Sequence, residues 1–117
     1  YHWGEGRNKV KAMKAEEEMV RLKKEETEQM MQLEVARARY NVEDAATRVR
    51  LTQRSLSQAE ENLQVSKNRF EVGMETLTNY MEAQAQWQKA WSDWIEAKAE
   101  LRVNETYYLK STGRLSD

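Results

Sequence analysis

The residues that could do chemistry are few and badly placed for it. His2 is the single histidine, and the chain has no cysteine. No set of His, Cys and carboxylate side chains therefore has the spacing of a metal site, and no thiol is present as a nucleophile or disulfide partner. Neither a nucleophile elbow nor a phosphate-cradling glycine loop occurs. Neighbouring glutamates such as Glu60–Glu61, the type of pair that does acid/base work in a cleft, lie on the polar side of a helical pattern and read as solvated surface. Trp87, Trp91 and Trp94 recur at helical spacing and resemble a stacking site. Opposite a row of alanines, however, a tryptophan row reads as helix packing. The sequence predicts neither enzyme nor cofactor.

The elements that carry these residues are set by their breakers. The chain has no proline, and Gly73 is the only glycine between Gly6 and Gly113. Glycine and proline are the strongest interruptions of regular structure. The spacing predicts a helix over residues 7–72, a turn over 72–75 and a second helix over 75–112. At about 1.5 Å per residue these are roughly 100 Å and 57 Å long. Such lengths suit coiled coils, stalks and tubes.

Lysine and arginine number 19 against 20 acidic residues, so the net charge is −1. This balance argues against a nucleic-acid partner, which requires a basic face. It also argues against an amphipathic helix lying on anionic lipid. No apolar run approaches the roughly 18 residues of a membrane-spanning helix.

A seven-residue repeat fixes how the helices meet. Val35, Val42, Val49, Leu56, Leu63 and Phe70 form one row. Three residues after each comes a small one: Ala38, Ala45, Thr52, Ala59, Ser66 and Gly73. The second helix carries Tyr80, Trp87, Trp94, Leu101 and Tyr108, with Ala83, Ala90, Ala97 and Asn104 three residues on. Met81, Trp91, Ile95 and Leu109 are expected to thicken this face. Folding back at Gly73 sets Ser66 opposite Tyr80 and Met81, Ala59 opposite Trp87, Thr52 opposite Trp94 and Ile95, Ala45 opposite Leu101, and Ala38 opposite Tyr108 and Leu109. Val49 and Leu56 face Ala97 and Ala90. Large against small is what close packing requires. The expected fold is all-α: a long antiparallel two-helix coiled-coil hairpin. Residues 9–34 of the first helix outrun the second and must find their partner elsewhere. Bulky rows on two sides of each helix point to neighbours on both, as in a helical barrel.

The turn carries a resemblance. Arg69-Phe70-Glu71-Val72-Gly73-Met74-Glu75-Thr76-Leu77, continuing through Asn79-Tyr80-Met81-Glu82-Ala83-Gln84, resembles the periplasmic hairpin tip of TolC-family outer-membrane efflux proteins. The stretch from Ala97-Lys98-Ala99-Glu100-Leu101 to Thr112-Gly113-Arg114-Leu115 is similar to that family's closing helix. Trp3-Gly4-Glu5-Gly6-Arg7 resembles the exit from a membrane strand into the long helix. The resemblance implies that residues 1–6 are the end of a membrane strand or linker. It implies that residues 7–117 are a periplasmic hairpin, taken from the second of two repeats in a homotrimeric channel. The protein would be a passive conduit in the outer membrane. Its partners would be a periplasmic adaptor (membrane fusion) protein and, through it, an inner-membrane pump. Val72, Gly73, Met74 and Thr76 match the adaptor-docking groove. Asn79 and Glu82 match pore or gate positions where the family often has two acidic residues, and Glu75 would add a further carboxylate. Asn79 is neutral, so only part of such a ring carries over. A cytoplasmic coiled-coil scaffold or tether explains the length and the heptads, but not the tip motif.

Overall fold

The computed structural model describes residues 2–116. It contains two helices, α1 (His2–Glu71) and α2 (Leu77–Ser116), folded back on each other into a rod of 106 × 23 × 13 Å. Among the described residues there is no strand.

The seam follows the seven-residue repeat. Ala38, Ala45, Leu56 and Ser66 of α1 are buried, as are Ala97 and Ser111 of α2. Val35, Val42, Val49, Thr52, Ala59 and Leu63 are half-buried, as are Tyr80, Ala83, Trp87, Ala90, Trp94, Leu101 and Tyr108 on the facing arm. Cross-helix bonds give the register. Arg48 Nη1 donates to Glu100 Oε2 at 2.6 Å, and Arg114 reaches Glu34 at 3.4 Å. Both pairs lie on one side of the hairpin, at heights that also set Leu56 near Ala90 and Ala45 near Leu101. Near the tip the rings of Phe70 and Tyr80 pack with centroids 5.1 Å apart. The hairpin thus closes as large against small, in the register read from the repeat.

Four side chains depart from expectation. Met81, Trp91, Ile95 and Leu109 do not thicken the seam; all are exposed. A two-helix coil buries only the two rows that point at the partner. Met81, Ile95 and Leu109 stand a quarter turn or more away from those rows, and Trp91 flanks the Trp87–Trp94 row at its outer edge. Their apolar surface faces outward.

The element ends also differ. Residues 2–6, expected as the end of a strand or a linker, continue α1; Tyr1 lies outside the described residues. α1 stops at Glu71, one residue early. α2 begins at Leu77 and not at 75, because Thr76 caps it. It runs through Gly113 to Ser116. A mid-helix glycine costs about 1 kcal/mol, and the seam residues Tyr108 and Ser111 beside it offset that. Residues 4–30 of α1 are exposed on every face, as the length mismatch requires.

The Ser66 hydroxyl is buried in the seam without a hydrogen-bond partner. Ser66→Ala removes that unmet group and improves helix propensity. It is expected to raise the stability of the hairpin by up to about 1 kcal/mol, read by thermal or urea unfolding.

Candidate functional site

The tip is built by two complementary caps. At the end of α1 the Gly73 N–H donates to the Phe70 carbonyl at 3.1 Å, and the Met74 N–H donates to the Arg69 carbonyl at 2.7 Å. These two bonds are the Schellman pattern, which satisfies the last carbonyls of a helix and needs a left-handed residue between them. Gly73 supplies it, with φ +79°. Across the turn the Asn79 N–H donates to Thr76 Oγ1 at 3.1 Å, and the Tyr80 N–H donates to the Thr76 carbonyl at 3.1 Å. Thr76 is therefore the N-cap of α2. The Asn79 side-chain amide donates to Glu75 Oε1 at 3.0 Å, tying the turn to the first turn of α2.

This geometry gathers the predicted residues into two groups. Val72 and Met74 project into solvent, 69% and 77% exposed, on either side of Gly73. A Cβ on Gly73 would meet nothing within 4 Å, so the space above its backbone is open. Thr76 is set apart from them by its capping bond. Glu75, Asn79 and Glu82 recur at spacings of four and three. They share one face of the α2 start, the same side of the hairpin that carries Arg48–Glu100. Glu82 is exposed there, and Asn79 is bound to Glu75. The arrangement offers no nucleophile and no proton-transfer pair. It offers an apolar, side-chain-free notch at the end of a rigid rod, with a short polar face beside it.

A second polar cluster lies far from the tip, where α2 ends against α1. Half-buried Glu34 accepts from the Tyr107 hydroxyl and pairs with Arg114 at 3.4 Å. The bond to Glu34 raises the Tyr107 phenol above its usual 10; burial and the carboxylate's charge add to this, and Arg114 opposes it. Sequence reasoning missed this clip. Its only signal was that Tyr107 and Arg114 are seven residues apart on the edge of the seam. The raised value means that the bond stabilises the fold below pH 10, and that this contribution is lost as pH rises through the folded-state titration. Glu34→Gln is expected to return Tyr107 toward 10. The check is phenolate absorbance in an alkaline titration, with Tyr107→Phe identifying its signal. An unchanged midpoint would contradict the clip.

Arg48 forms a similar link, bridging Asp44 at 3.3 Å and Glu100 at 2.6 Å. Both partners are about half exposed, so this link specifies register more than it stabilises. Lys98 Nζ sits 4.1 Å from the centre of the Trp94 ring, covering an indole that α1 leaves half-uncovered.

The fold and tip define a class: a long antiparallel helical hairpin with a glycine-capped, apolar end. The family model described as outer membrane efflux protein matches residues 1–114. The chain belongs to that family, whose members are outer-membrane channels of TolC type and not enzymes. No curated protein and no solved structure matches it.

Proposed function

We propose that residues 7–117 form part of the wall of a periplasmic tunnel in a homotrimeric outer-membrane efflux channel, and that the tip docks a periplasmic adaptor protein. The adaptor would connect the channel to an inner-membrane pump, which supplies energy and selects substrate. The observation that carries this is the tip itself. Gly73 leaves an open notch between exposed Val72 and Met74, held by caps at both helix ends. A partner backbone or leucine can approach such a notch closely. A rod of 106 Å with its apolar end pointing away suits a conduit that meets its partner end-on. Glu75, Asn79 and Glu82 face the pore in this reading, with Glu82 the main carboxylate. The tip and the family assignment favour the channel over a cytoplasmic scaffold.

The test uses the full-length channel. Asparagine tolerates the left-handed region, so Gly73→Asn keeps the turn while filling the notch. It is expected to weaken adaptor binding, measured by calorimetry or pull-down, with the helical circular dichroism unchanged. Adaptor affinity equal to the wild type would sink the docking assignment. Glu82→Gln should change single-channel conductance in planar bilayers; the same conductance would make Glu82 plain surface.

A further inference from the structure

Of the chain's six methionines, Met74 alone lies outside both helices, in the turn between Glu71 and Leu77. It is 77% exposed, more than any other large apolar side chain among the described residues. Its backbone is nevertheless fixed, because its N–H donates to the Arg69 carbonyl at 2.7 Å in the cap that ends α1. The thioether is thus held out to water beside the open space over Gly73. The other methionines sit on helical faces. Met13, Met19, Met30 and Met31 lie on the stretch of α1 that outruns α2, and Met81 stands on the outward side of α2. In the tunnel wall proposed above those faces meet other helices, and the turn does not.

We propose that Met74 is a modification site: hydroperoxides oxidise its sulfur to the sulfoxide, and this releases the tip from its adaptor. The sulfur lone pair takes the outer oxygen of the peroxide as the O–O bond breaks. The proton on that oxygen passes through water to the oxygen that leaves. Sulfur loses two electrons, and hydrogen peroxide leaves as water, or an organic hydroperoxide as its alcohol. The step is reversible. Two thiols, acting through a sulfoxide reductase, restore the thioether and leave a disulfide and water.

Oxidation turns a flexible apolar side chain into a polar one without displacing it. The turn is untouched, because both capping bonds come from backbone N–H groups and Gly73 supplies the left-handed φ. The change falls on the lip of the notch. A partner that closes over Met74 buries the sulfoxide oxygen, a strong acceptor that water then no longer satisfies. The release rests on the docking assignment; the oxidation does not, so the two fail separately.

The test uses the full-length channel, treated with hydrogen peroxide that catalase removes before adaptor is added. Peptide mass spectrometry is expected to show sulfoxide at Met74 ahead of the helical methionines. Adaptor affinity should then fall about tenfold, the effect of one buried acceptor left unpaired. Helical circular dichroism should not change, and affinity should return after sulfoxide reductase and dithiothreitol. Met74→Leu keeps an apolar lip without the sulfur and should bind equally well before and after peroxide. Met74→Gln, polar from the start, should bind about tenfold more weakly with no peroxide at all. Oxidation of the helical methionines ahead of Met74 overturns the modification site. Unchanged affinity with Met74 oxidised overturns the release, as does a Met74→Leu channel that peroxide weakens as much as the wild type. If untreated Gly73→Asn also binds at wild-type affinity, the docking assignment falls and the release falls with it. If that variant binds weakly while the oxidised wild type binds normally, docking stands and only the release is lost.

Discussion

Leu56→Ala is expected to lower the stability of the hairpin by about 2–5 kcal/mol, the range for a large apolar side chain removed from a packed site. Leu56 is the largest side chain among the buried residues, at 8% exposure. It sits midway along the stretch where both helices are present, facing Ala90. In a rod only two helices thick, no second layer exists to collapse into the space it leaves. The complementary experiment is Ala97→Trp. Ala97 is 3% exposed and stands against Val49. An indole there must push the helices apart, at about 1–3 kcal/mol. The pair tests the packing from both directions, by urea unfolding followed at 222 nm. Unchanged midpoints in both variants would mean that the arms do not meet in this register. The same substitution on an outward position makes the control: Ala36→Trp, on the exposed outer side of α1, should leave the chain's midpoint nearly unmoved.

The architecture was legible because a coiled coil writes its contacts into the sequence as a period. The rows from Val35 to Leu63 and from Tyr80 to Tyr108 needed only counting, and pairing large with small then set the register. Three things were not legible. Apolar character alone placed Met81, Trp91, Ile95 and Leu109 in the seam, but a residue's angle around the helix decides burial in so thin a rod. The helix ends depended on which hydroxyl caps, and Thr76, followed three residues later by Asn79, was read for binding and not for its bond to the backbone. The Glu34–Tyr107–Arg114 clip joins residues more than seventy positions apart. It becomes visible only once the register is known and the rotamers are set. At the candidate site, the open space over Gly73 and the exposure of Val72 and Met74 came from the structure. Which residues to inspect came from the tip motif.

Gly73 has two roles in this reading, and substitutions can separate them. Its φ of +79° lies in the left-handed region, where a side-chain-bearing residue is strained whatever the space around it. Gly73→Val puts a β-branched residue there and is expected to cost about 1–3 kcal/mol. No clash contributes, since a Cβ would meet nothing within 4 Å. The loss is therefore a backbone effect, and it should appear in the isolated chain as a lower melting temperature. Gly73→Asn relieves most of that strain, because asparagine enters the left-handed region more readily. Its melting temperature should fall between those of the wild type and the valine variant. If the notch serves docking, both variants lose adaptor binding although only valine loses much stability. If glycine is there for the turn alone, binding follows stability and the asparagine variant keeps it. Equal melting temperatures for valine and glycine would show that the turn does not use the left-handed geometry. The Schellman bonds from Gly73 and Met74 would then not be what ends α1.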